Sequence, residues 1–139
     1  MLVKCIANNL HDIENPIVKK KLSTYIGRSD GELNLETNKK YTVYGVVFWD
    51  NHPWFYLCTD DLDYPTPYSS VFFDVIDNRL SKYWVMSTTI GSDGDFQTSL
   101  TIEPWASDRF FYERLIDGDN LAIDIFTRSK DLINAEQDS

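Results

Sequence analysis

The sequence predicts an α+β domain in which a mostly antiparallel sheet is followed by one or two C-terminal helices. Three observations carry this. Short β-branched and aromatic runs, separated by turn clusters, fill the first hundred residues. After residue 107 a capping serine is followed by apolar residues at helical spacing, Phe111 with Leu115 and Tyr112 with Ile116. The chain has 139 residues and is 42% hydrophobic, which suits one domain around one core. Strands first and helices last place the helices on one face or end of the sheet. The parts are a β-rich segment over 1–77, a further hairpin over 78–106 and a helical part over 107–135.

Residues 2–7 form an apolar run ended by Asn8-Asn9 and read as the first strand. Residues 8–31 are polar and contain Pro16, Lys19-Lys20-Lys21, Gly27 and Gly31; they read as a long excursion with a short helix near 18–25. The three lysines are too few for a nucleic-acid patch and read as a solvated face. Residues 41–49 are β-branched and aromatic, 50–53 (Asp-Asn-His-Pro) form a turn cluster, and 54–59 return as a strand, which predicts a β-hairpin. Residues 60–70 form an acidic loop in which Pro65 and Pro67 exclude helix. Residues 70–76 read as a strand, Asp77-Asn78 as a turn, and 83–90 with 96–102 as a second hairpin around Gly91 to Asp95.

Ser107 and Asp108 then read as the start of a helix that Gly118 ends. Phe111 with Leu115, and Tyr112 with Ile116, have helical spacing. A second helix from Asp119 places Leu121, Ala122, Ile125, Phe126, Leu132 and Ile133 on one face, although 121–126 also alternate as a strand would.

Charge narrows the partners. There are 13 Lys plus Arg against 22 Asp plus Glu, a formal net charge of −9. Residues 1–40 hold seven basic and five acidic side chains, so the other 99 hold six and seventeen, a net of −11. Nucleic acid and anionic membranes usually need a basic face, so this charge disfavours both, and the chain is expected to bind neither. A basic protein partner fits. No signal segment or membrane span is present, and the chain reads as cytoplasmic with reduced thiols. A Cys5–Cys58 bridge stays open.

No catalytic set emerges, and the chain reads as a non-enzyme without cofactor or metal. Cys5, His11, His52 and Cys58 lack the close ligand pairs of a zinc site, and both cysteines lie in apolar runs that favour burial. Cys58 is followed by Thr59-Asp60-Asp61, and carboxylates disfavour a reactive thiolate. The acidic triplets at 93–95 and 117–119 lack the closing Glu of a calcium loop and read as turns. Six glycines are scattered singly, so no phosphate-cradling loop exists. The partner-binding candidates are Asp60, Asp61, Asp63, Asp74 and Asp77 as an acidic surface, with Tyr64, Tyr68 and Trp54 as aromatic anchors.

Two resemblances add to this. Lys4-Cys5-Ile6, Leu35 leading to Lys40-Tyr41-Thr42-Val43-Tyr44, Tyr56-Leu57 and Phe72-Phe73-Asp74-Val75 resemble the strand series of SH3-like barrels in short bacterial proteins, over roughly residues 1–77. The excursion over 8–31 departs from that compact pattern. In size and acidity the whole chain resembles the immunity proteins that neutralise bacterial toxins, polymorphic-toxin nucleases among them. That resemblance implies a stoichiometric inhibitor of a basic toxin, without cofactor. The alternative is a β-domain that binds a small molecule or peptide along the aromatic hairpin. A hydrolase with a carboxylate pair ranks last, since the sequence nominates no pair.

Overall fold

A computed structural model describes residues 1–24, 33–59 and 64–137. Its strands are β1 (Leu2–Cys5), β2 (Lys40–Thr42), β3 (Gly45–Trp49), β4 (His52–Leu57), β5 (Thr66–Ser69), β6 (Phe73–Asp77), β7 (Trp84–Ile90) and β8 (Phe96–Ile102). Its helices are α1 (Pro16–Ser23), α2 (Glu103–Ala106), α3 (Phe111–Ile116) and α4 (Asn120–Gln137). The strands form two antiparallel sheets, ordered β2-β1-β6 and β5-β4-β3-β8-β7. The fold is α+β and mostly sheet, as the sequence predicts. Among the described residues the strands close no barrel: β1, β2 and β6 of the SH3-like series lie in one sheet, β3 and β4 in the other.

The central hairpin is tighter than the expected four-residue turn. Asp50 and Asn51 have φ of 55° and 65°, the left-handed pair of a two-residue type I′ turn, whose twist matches that of the strands it joins. Asp and Asn tolerate this region better than most residues. His52 and Pro53 therefore belong to β4, opposite Trp49 and Phe48. The expected strand over 41–49 is divided. Val43 donates its N–H to Met1 O and Tyr44 donates to Tyr56 O, so the chain changes sheets between two consecutive buried residues. β2 ends in the small sheet and β3 begins in the large one.

Three further expectations are corrected. Part of the expected loop over 60–70 is β5, an edge strand in which Pro67 costs no ladder bond on its open side. Residues 70–72, expected in strand, make a 3-10 turn begun by the Ser69 hydroxyl, which accepts the Val71 N–H. Ser107 closes α2 as its C-cap and starts no helix; Pro104 sits in the first turn of α2, where a missing N–H is tolerated. Gly118, at φ 82°, follows the end of α3 as expected. The Asp119 carboxylate accepts the Ala122 N–H at 2.9 Å, and this cap settles 121–126 as helix. Ala122, Phe126 and Ile133 form the buried stripe of α4, whereas Leu121 and Leu132 are exposed.

Opposite faces of the large sheet receive different neighbours. On one face, Tyr56 meets Trp105 at 4.7 Å and Tyr112 at 5.4 Å between ring centroids, and Trp105 stacks on Tyr112 at 5.3 Å. α2 and α3 thereby cover that end of the face. Gly45 lies beneath them, where a Cβ would approach Thr101 Cγ2 to 3.2 Å. On the other face, Phe55 meets Phe73 of the small sheet at 5.9 Å, and Phe73 meets Tyr41. α4 is fastened to the sheet junction by Phe126 against Tyr44, by the Tyr44 hydroxyl donating to Asn134 at 2.7 Å, and by Gln137 at Thr42 and Met1. Its Glu136 accepts from the Ser81 hydroxyl and the Lys82 N–H. The buried side chains of both sheets and of α1, α3 and α4 make one core.

Candidate partner-binding surface

The aromatic residues expected to anchor a partner divide between faces. Trp54 stands opposite Ser69 in the β4–β5 ladder, and Phe55 opposite Tyr68. Neighbouring residues of a strand point to opposite faces, so Trp54 and Tyr68 cannot anchor one patch. Trp54 is buried, its indole N–H donates to Trp49 O, and its ring packs against Trp49 at 5.6 Å and His52 at 5.0 Å. It is a packing residue first. Tyr68 is half-buried and shares a 2.9 Å hydrogen bond with Thr59. Tyr64 is half-buried against the core. Nearby, the Tyr112 hydroxyl donates to Pro65 O at 2.6 Å and ties the start of β5 to α3.

Of the acidic candidates, Asp60, Asp61 and Asp63 lie outside the described residues. Asp74 is exposed on β6, with Lys4 as its cross-strand neighbour. Asp77 is held by Arg79, whose Nε donates to Oδ1 at 3.0 Å and whose guanidinium donates to Oδ2 at 2.7 Å. These bonds keep the Asp77 carboxyl well below the usual carboxylate range. Asp108 is likewise paired with Arg114 and its carboxyl is lowered by that bond. Sequence order thus overstates the free charge near 74–77. At the α3–α4 elbow, by contrast, Glu113 and Asp117 are exposed and enter none of the ion pairs found among the described residues. Clustering along the chain could not reveal this, because which carboxylates are paired depends on the cations that the fold sets beside them, as it sets Lys21 beside Asp50 and Arg114 beside Asp108.

One constellation was not legible in the sequence. His52 Nδ1 lies 2.9 Å from Asp50 O, and Nε2 lies 2.8 Å from Ser69 Oγ. A carbonyl only accepts, so the neutral ring donates from Nδ1 and receives the Ser69 proton at Nε2. The spacing is that of a nucleophile and its base. Ser69, however, is 2% exposed, and the ring's second partner is a backbone carbonyl. A hydroxyl that no substrate reaches is a latch, here between the start of β4 and the end of β5.

The cysteines are both free thiols. Cys5 is buried and donates to Ala7 O at 3.2 Å. Burial pushes both thiols up, with Lys130 partly offsetting the effect at Cys58. The largest cause is desolvation; the carboxylates that the sequence pointed to, Asp60 and Asp61, lie outside the described residues. Among the described residues no three His, Cys, Asp or Glu side chains converge as metal ligands. Burial also pushes Tyr44 and Tyr56 up to about 12, and Tyr112 higher still.

Two surface features of the large sheet bear on ligand or partner contact. A groove of about 360 Å³ runs along the sheet face between Val47, Trp49, Trp54, Tyr56, Pro67 and Gln97. On the opposite face, Phe48, Met86, Ile90 and Phe96 are exposed at 44–69%. Comparison with protein-family models, with curated proteins and with solved structures finds no match. Among the described residues no helix is long and apolar enough to cross a membrane.

Proposed function

We propose that the protein is a toxin-neutralising inhibitor of the bacterial immunity type, which binds a basic toxin, of nuclease class, through its acidic surface. The observation that carries this reading is the net charge of −9 with Asp74, Glu113 and Asp117 displayed at the surface. A field of that sign accelerates encounter with a cationic, phosphate-binding cleft and can occupy it in place of phosphate. In such a complex Asp74 and the elbow carboxylates supply steering, and Tyr64 and Tyr68 supply contact at the β5 edge.

The test is affinity capture from native lysate at low ionic strength, followed by association kinetics on the purified pair. The expected result is a basic protein bound one to one, with an on-rate that falls steeply as salt rises. Reversing Glu113 and Asp117 to Lys should lower that on-rate several-fold and leave dissociation nearly unchanged. Capture of no basic protein, or an on-rate indifferent to salt, refutes the reading.

The groove beside Trp49 and Trp54 favours a second reading, in which it takes a planar ligand or an extended peptide; its volume lies within the range of small-molecule sites. A ligand-induced rise in melting temperature, with a matching change in tryptophan emission, would select this reading over the first.

A further inference from the structure

We propose that two copies of the chain join through β7, continuing the large sheet across a two-fold axis centred on Ser87. Sheet edges invite pairing unless something blocks them. The other exposed edges here carry such devices. β5 is four residues long and holds Pro67; β2 is three residues long and begins at Lys40; β6 carries Asp74 and Asp77. β7 is seven residues long, Trp-Val-Met-Ser-Thr-Thr-Ile, without charge, proline or glycine. It stands at the end of its sheet and, among the described residues, pairs only with β8.

The hydrogen-bond pattern states which groups face outward. Gly91 donates to Asp95 O at 2.9 Å at the hairpin end. Antiparallel pairs alternate between bonded and non-bonded, so Val85, Ser87 and Thr89 bond to β8. Trp84, Met86, Thr88 and Ile90 then point their N–H and C=O groups away from it. The Trp84 N–H conforms, since it turns out to Ser81 O at 3.2 Å. Two outward-facing strands pair antiparallel over all seven residues in one register: Met86 opposite Thr88 of the second copy, and Trp84 opposite its Ile90. In that register Met86 and Thr88 exchange both bonds, and the Ile90 N–H reaches the Trp84 carbonyl.

Side chains and charge agree with a second copy as the occupant. Opposed residues share a face, so exposed Met86 and Ile90 each gain a cross-strand neighbour. The apolar patches that include Phe48 and Phe96 meet on the same side of the joined sheet. Exposed Lys82 precedes one end of β7 and exposed Asp93 follows the other, and antiparallel pairing brings the Lys82 end of each copy to the Asp93 end of the other. A neutral strand flanked by complementary charges lets two chains of net charge −9 approach along this edge.

The test is sedimentation equilibrium of the purified chain over micromolar to millimolar concentration, with residue-resolved amide exchange. The expected mass rises with concentration from the 16.2 kDa of one chain to twice that value and stops. Exchange at Met86, Thr88 and Ile90 should slow about tenfold or more over the same range, with Ser87 and Thr89 protected throughout. Thr88→Pro removes only an outward N–H and should leave a folded monomer. Met86→Lys offers a second route that leaves the backbone intact and should weaken association at least tenfold. A chain that stays monomeric, or grows beyond a dimer, overturns the proposal. So does a dimer that survives both substitutions or leaves the outward amides exchanging at an unchanged rate.

Discussion

Tyr44 stands where the two sheets and α4 meet, and its hydroxyl yields a prediction whose sign changes with pH. The residue is 6% exposed and its hydroxyl donates to Asn134 Oδ1 at 2.7 Å. Tyr44→Phe removes that oxygen and keeps the ring contact with Phe126. At pH 8 the loss should be about 1 kcal/mol, the net worth of one such bond, because half-buried Asn134 can turn to water. Burial raises the Tyr44 hydroxyl from 10.0 to about 12, so the folded state resists an ionisation that the unfolded chain accepts. Stability from the neutral hydroxyl is therefore complete below pH 10 and is lost as pH rises toward 12. At pH 11 linkage gives a loss of about 1.4 kcal/mol if the whole shift is expressed. A phenylalanine loses none of it. The wild-type chain should be the more stable at pH 8, equal to Tyr44→Phe close to pH 11, and the less stable above that. Water reaching the rim of the site could halve the shift, yet the crossing then moves by only a few tenths of a pH unit on the same relation. Urea unfolding followed by tryptophan emission at half-unit intervals from pH 8 to 11.5 measures the difference, and the ionisation of Tyr56 is common to both proteins. A difference that stays constant across that range would refute the burial argument.

Phe126→Ala opens a cavity beneath Tyr44 and should cost about 3–5 kcal/mol, read as a lowered urea midpoint with unchanged slope. Thr101 is 1% exposed, and its hydroxyl has no partner among the described residues; Thr101→Val should stabilise by about 1 kcal/mol in the same assay. Asn51 holds φ 65° in the hairpin turn, so Asn51→Gly should stabilise by a few tenths of a kcal/mol and Asn51→Val should cost about 1–2 kcal/mol. Both thiols are raised by burial, so a thiol reagent at pH 8 should label the native chain slowly and the urea-unfolded chain at the rate of a free cysteine.

Local patterns in the sequence were enough for both hairpins, for α3 and α4, and for the sign of the net charge. Each depends on contacts only a few residues apart: Asp50-Asn51 and Gly91 to Asp95 turn the chain, and four-residue spacing makes the helices. The division of the run over 41–49 was not legible, because nothing within it marks where Val43 leaves Met1 and Tyr44 takes up Tyr56. β5 was hidden for a similar reason: Pro67 argues against a central strand, and only the sheet order shows that it lies on an edge. The acidic surface changed most. Sequence counts carboxylates, whereas solvent and partners meet those left over after distant cations have been seated. Thus Asp50 answers to Lys21 of α1, Asp77 to nearby Arg79, and Glu113 and Asp117 hold exposed charge at the elbow. Composition determined the sign and size of the field; tertiary structure determined where it emerges, since only folding sets cations and carboxylates from separate segments side by side.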